Sequence, residues 1–372
     1  MKRWLRRLLR IALVCVGLLF VSIAVEVAFG WRCDLEGQIP DPAPRPEERR
    51  AAVAGIHDYA RPEDDAYLGF PEWYIVWSYV EKADFQQTQL PGGFPYFGSV
   101  RQYWKSYCCI SRLTRRKYGF NGGEQLMLGV IGASFSAEYI LKGVYEKTVG
   151  RLSEWSSGHQ FTSEDQYAYK VAREYGNFVH IRPFYEFHFA RHVYGLWAEN
   201  SLRGPHLIRK LERKFFLSVD YMVEAFYCWL IERATHATYG REPNDTYAWV
   251  ENLDEGLLPQ IPHLKLVKSL GLREAILDLP RYQEFTGVAS MLAQNGVRFV
   301  EIAGNSEITV SVLAPEAWRY QGSVARPLFF MPILTRPGWR RVVLACGVSS
   351  LDQVLTGLRS DSLVVVEHVY DY

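Results

Sequence analysis

Hydrophobic and polar positions divide the chain into segments of different texture. No residue from Ile11 to Val25 is charged, and Lys2, Arg3, Arg6, Arg7 and Arg10 precede that run. Residues 1–31 therefore read as a basic cytoplasmic flank and a transmembrane signal anchor, with the bulk of the chain extracytoplasmic. Ile11 to Phe29 is 19 residues, about 28 Å of helix against a hydrocarbon core of roughly 30 Å. That length favours a retained anchor. Glu26 interrupts the far end, and Ala28-Phe29-Gly30 offers the small-x-small pattern of a cleavable signal.

Residues 32–65 carry Pro40, Pro42, Pro44 and Pro46, then Glu47-Glu48 and Arg49-Arg50, with almost no apolar period; they read as a stalk. From 66 to 255 the period becomes helical and aromatic. Phe70-Pro71-Glu72 opens one helix, Arg101 to Tyr118 gives a second and Glu124 to Trp155 a third. Pro205 to Tyr239 gives another, with Leu207, Leu211, Phe215, Val219, Met222, Phe226 and Leu230 at three- and four-residue steps. Leu126 to Ala137 is too short an uncharged run to cross a bilayer, and Phe215 to Ile231 carries Asp220 and Glu224, so hydropathy supports a single span.

Over 256–372 short strand-like runs alternate with helical ones. Arg273–Leu279, Val297–Ala303, Glu307–Leu313, Arg341–Cys346 and Leu363–Tyr370 read as strands, with helices over Arg281–Asn295 and Ser349–Leu358. Two βαβ-like units with an extra strand or two between them predict a ferredoxin-like sandwich, and the whole chain is α+β. Neither helix is opened by a glycine-rich phosphate loop, which argues against nucleotide binding.

Charge sharpens this picture. The net +1 conceals six Lys or Arg and one Glu in residues 1–32, which leaves −4 on residues 33–372. A mildly acidic globular part argues against nucleic acid as a partner. Aromatic residues make up 15% of the chain, suited to a large helical core or to walls of a ligand groove. Among six cysteines none forms a C-x-x-C pair, so no zinc or thioredoxin-type site is expected. Adjacent Cys108 and Cys109 do not readily bridge each other, although either can reach a third cysteine.

The densest chemistry lies between Arg173 and His192. His180, Glu186 and His188 are the candidates for acid, base and orienting roles, and Arg173, Arg182, Tyr185 and Trp73 for ligand binding. The competing structural reading has Arg and Glu pairing with one another beneath an aromatic cover. His188 and His192 stand at i, i+4, yet Phe189 occupies the position where a zincin has Glu; no metal and no cofactor are expected. Glu138, Lys142 and Glu146 most simply pair along one helix. Asp220 and Glu224 repel one another unless a cation sits between them. Arg209, Lys210, Arg213 and Lys214 suit a solvated face or contact with anionic headgroups.

These patterns fit a single-pass protein, of a bacterial inner membrane by the style of its signal, held by residues 11–29. Its expected role is a binding or scaffold module whose partner is an envelope protein, lipid or glycan. An envelope enzyme acting on an anionic lipid or glycan is the alternative, and self-association through a strand edge of the C-terminal sandwich is a third.

Overall fold

A computed structural model describes residues 2–41, 49–238 and 244–372. Pro42, Pro44, Pro46 and Glu47-Glu48 of the expected stalk lie outside the described residues, as does Tyr239. The helices are α1 (Lys2–Gly30), α2 (Arg49–Ala52), α3 (Asp65–Thr88), α4 (Tyr96–Lys117), α5 (Gly122–Tyr145), α6 (Arg151–Ser156), α7 (Ser163–Val179), α8 (Phe189–Glu199), α9 (Leu207–Thr238), α10 (Tyr282–Gln294) and α11 (Leu351–Ser360). The strands are β1 (Asp245–Glu251), β2 (Lys265–Gly271), β3 (Glu274–Pro280), β4 (Arg298–Ile302), β5 (Glu307–Pro315), β6 (Ala325–Pro332), β7 (Trp339–Gly347) and β8 (Val365–Tyr370). The mixture bears out an α+β chain.

The chain divides into two compact units that do not follow linear segments. One comprises residues 1–33, 71–108 and 126–240, the other 34–70, 109–125 and 241–372. In the helical unit, the end of α1 packs on α4. A Cβ at Gly30 would lie 2.7 Å from Trp104 Cβ and from the Arg101 carbonyl, so only glycine permits this approach. Glu26, the charge that interrupts the apolar run, is buried and paired with Arg101. Among the described residues one helical stretch, Gly122–Ser156, is long and apolar enough to cross a membrane, and Val16–Gly30 is a shorter apolar helix. The expected 12-residue limit fails at Leu126–Ala137 because the helix continues through Glu138 and Lys142, whose charges are satisfied internally.

The sheet unit corrects the ferredoxin-like expectation. It holds two four-stranded sheets, ordered β2-β3-β1-β4 and β6-β7-β5-β8, in which every neighbouring pair is antiparallel. Each sheet repeats the same strand-strand-strand-helix-strand order, with the third and fourth strands flanking the first and joined by a helix. A split βαβ is present twice, but each copy completes its own sheet with a hairpin strand, β2 or β6, instead of sharing one sheet. Helices α10 and α11 pack against each other. Strands β5 and β7 are buried nearly throughout, as their runs of Val, Ile, Leu and Ala require.

In their described parts, residues 34–41 and 49–65 belong to this unit rather than forming a stalk. Glu36 N–H donates to the Leu328 carbonyl at 2.8 Å, and Arg49 Nε donates to Glu301 at 2.7 Å. Ala52 and Tyr59 join a core cluster with Trp249 and Ile276. Proline spacing predicted extension; the aromatic and Arg anchors that follow supply the docking contacts.

Candidate functional site

Helix α5 and the π turn that continues it place Glu138, Lys142 and Glu146 on one stripe, and α9 places Asp220 and Glu224 on another. The structure brings the two stripes together. Lys142 Nζ lies 2.7 Å from Glu138, 3.0 Å from Asp220 and 2.9 Å from Glu224. The cation that the like-charged pair on α9 calls for is supplied by α5. Tyr79 of α3 adds a hydroxyl that donates to Glu138 at 2.6 Å.

Glu146 leaves that group and binds Arg213 with two hydrogen bonds, at 2.9 and 3.1 Å. A π turn over Glu146–Gly150 starts at this residue, inserting an extra position that redirects the backbone. From Arg213 an alternating chain runs to Glu212 (2.7 Å), Arg209 (3.1 Å) and Asp165 (2.7 Å). Asp165 also closes the capping box of α7 with Thr162. Arg209, Arg213 and Lys214 are buried to about 1% exposure or less. The solvated basic face expected at Arg209, Lys210, Arg213 and Lys214 is thus interior at three of the four positions, because Arg209, Arg213 and Lys214 have acceptors on neighbouring elements, whereas half-exposed Lys210 donates to the Ser201 and Arg203 carbonyls.

Tyr79, Glu138, Lys142, Glu146, Arg213, Asp220 and Glu224 line a partly open chamber of about 60 Å³, space for a few waters or a solute of a few heavy atoms. Part of its polar lining is unspent. Gln86 is buried, and its carboxamide oxygen has no hydrogen-bond partner among the described residues. Half-buried Lys82 also lines the chamber and makes no ion pair among the described residues. Burial, followed by repulsion from Lys142, pushes its amine below the usual lysine range. Among the described residues, no group of His, Cys, Asp and Glu is arranged to hold a metal ion.

The residues singled out by sequence lie elsewhere. His180 caps α7, with its Nδ1 2.6 Å from the Gly176 carbonyl and its ring 5.2 Å from Trp77 and 6.2 Å from buried Trp73. Arg182 and Glu186 meet at 3.8 Å on the surface. His188 is exposed at the start of α8, its Nδ1 2.9 Å from the Glu186 carbonyl. Arg173 instead pairs with Asp84, and Tyr185 packs beside the core around Tyr175 and Phe187. Trp73 and His180 are thus brought together, as are Arg182, Glu186 and His188, but none of the seven lines the chamber. Burial pushes nearby His192 down, and its ring stacks on Phe187 at 5.3 Å.

The chamber residues were signalled by matched i, i+4 stripes on two separate helices, but nothing in the pattern says that the stripes face each other. The chain matches no protein-family model, and comparison with curated proteins and with solved structures finds no match either.

Proposed function

We propose that this protein is a membrane-anchored binding module of the cell envelope, and that its ligand site is the chamber of the helical unit, which takes a small polar molecule. The observation that carries this reading is the unspent polar lining: Gln86, whose buried oxygen has no partner among the described residues, and Lys82, which makes no ion pair among them, line the same chamber. Native proteins rarely leave a buried acceptor unmatched unless water, an ion or a ligand completes it. The docking of α1 on α4 through Gly30 and the Glu26–Arg101 pair support a retained anchor.

Native mass spectrometry of the full chain, released from detergent, tests this. A reproducible small added mass that disappears in both Gln86→Leu and Lys82→Met supports the reading. A chain that carries no added mass, with both variants melting like the wild type, rejects it.

A further inference from the structure

The polarity of α9 is inverted relative to a helix on a water-soluble domain. Every exposed position between Leu207 and Leu230 is apolar, at 40% to 68% exposure, including Ile208, Phe215, Met222 and Phe226. The opposite side holds Arg209, Arg213, Lys214, Asp220 and Glu224, turned into the unit and paired there. A helix in water buries its apolar stripe and exposes its charges. The reverse arrangement is expected where the surroundings are less polar than the interior, because ionisable groups then face inward and pair with one another.

Helix α5 repeats the pattern. Leu126, Val130, Leu141 and Val144 point outward at 51% to 70% exposure, while Ser136, Glu138 and Lys142 point inward. No exposed position from Leu126 to Val144 carries a charge, and the next outward turns bring Lys147, Arg151 and Trp155. That stretch is about 28 Å long and the corresponding one on α9 about 36 Å, against a hydrocarbon core of roughly 30 Å. Basic and Trp side chains at the end of such a stretch are the usual membrane-interface residues. On α9, Arg233 lies over Trp229 at 4.7 Å, just past the last outward leucine. The same unit contains α1, whose Leu13, Leu18, Phe20 and Val21 are also exposed.

We infer that the helical unit is embedded in the hydrocarbon of a lipid bilayer through the outer faces of α5 and α9, in addition to α1. The occupant of these faces is acyl chain. The charged chamber then lies inside a membrane-embedded bundle, shielded from lipid by the helices that bear it. This goes beyond a single N-terminal anchor, and it stands whether or not the chamber takes a ligand.

Nitroxide labels on Phe215→Cys, Met222→Cys and Val130→Cys, in the full chain reconstituted into phosphatidylethanolamine and phosphatidylglycerol vesicles, test it. The unsubstituted chain supplies the background from native cysteines, and Leu272→Cys, on a fully exposed turn, supplies the aqueous reference. Because the three positions face outward, substitution leaves the packing intact. Collisions with molecular oxygen several-fold more frequent than with a water-soluble nickel chelate, reversed at Leu272→Cys, support the inference. Frequent nickel collisions at the three sites would show a water-facing surface and overturn it. Low collision rates with both reagents would show a face covered by protein, a second copy included, and would also overturn it.

Discussion

Replacing Lys142 by Met removes one cation from among three carboxylates and leaves the side-chain volume nearly unchanged. At the observed 2.7 to 3.0 Å separations, each contact is worth about 5 to 6 kcal/mol gross at an effective dielectric of about 20. Desolvation of the ammonium offsets most of this. What remains after substitution is three half-buried carboxylates that have lost the cation they bind, with Lys82 and Arg213 the other positive charges lining the chamber, and breaking a buried set of this kind typically costs about 3–5 kcal/mol. In a unit of this size that corresponds to a fall in melting temperature of about 6–20 °C. The assay is thermal unfolding of the detergent-solubilised chain, followed by tryptophan fluorescence at pH 8 and pH 5. Lys142→Met is expected to melt well below wild type at pH 8 and to recover part of the deficit at pH 5, where protonation relieves the repulsion. Adding Glu224→Gln to Lys142→Met should restore part of the loss at pH 8. The reasoning is refuted if Lys142→Met melts with the wild type at pH 8, or if the double variant is no more stable than the single one.

Three further outcomes follow from other parts of the molecule. Burial raises the Asp65 carboxyl to about 7 and that of Asp371 to about 6, against an ordinary 3.8. The folded chain therefore binds more protons than the unfolded one between about pH 4 and 7, so stability is greatest at the acid end and is withdrawn as pH rises through those values; Asp65→Asn should flatten the fall in melting temperature between pH 5 and 8. A Cβ at Gly132 would lie 2.0 Å from the ring of buried Tyr103, whose hydroxyl donates to the Leu128 carbonyl at 2.5 Å. Gly132→Ala is expected to destabilise by about 1–3 kcal/mol, and a melting curve that overlays the wild type contradicts this. Cys33 and Cys109 are disulfide-bonded, whereas Cys108, Cys228 and Cys346 are buried thiols. Alkylation under denaturing, non-reducing conditions should mark the latter three and spare the former two, as read by peptide mass mapping.

Strands were legible where β-branched runs end on turn residues. Arg298–Ile302 follows Gly296, which adopts a φ of 76° as its role at the helix stop requires. β2 was not legible because it is an exposed strand without an apolar period, and β6 because Pro327 interrupts it. β1 also lay outside the expected strands, because residues 245–251 fall in the segment 66–255 read as helical, whereas the structure places them in the sheet unit. The antiparallel duplication depends on all three strands, so without them the order resembles a single shared sheet. For α9 the period was correct but its direction was not. A three- and four-residue stripe identifies two faces, and only the positions of Glu146, Asp165 and Lys142 on other helices decide which face turns inward. The same limit applies around His180. Residue density marked the segment, but whether the side chains converge depends on the turn at Pro183 and on Asp84, far away in sequence, which engages Arg173.

The duplicated sheets also bear on how this chain avoids misassembly. Each sheet ends in a hairpin strand whose outer edge is a template for pairing with another chain. Along β6 that edge is blunted by Pro327 and Pro332 and by a register shift after Pro327, and Glu36 takes up the Leu328 carbonyl. Along β2 the protection is electrostatic: Lys265 reaches Asp278, and Lys268 donates to the Ala51 and Ala52 carbonyls. Two copies of one topology are therefore guarded by different chemistry. Prolines do not titrate, so the β6 edge stays blunted over the pH range in which buried carboxyls make this unit most stable.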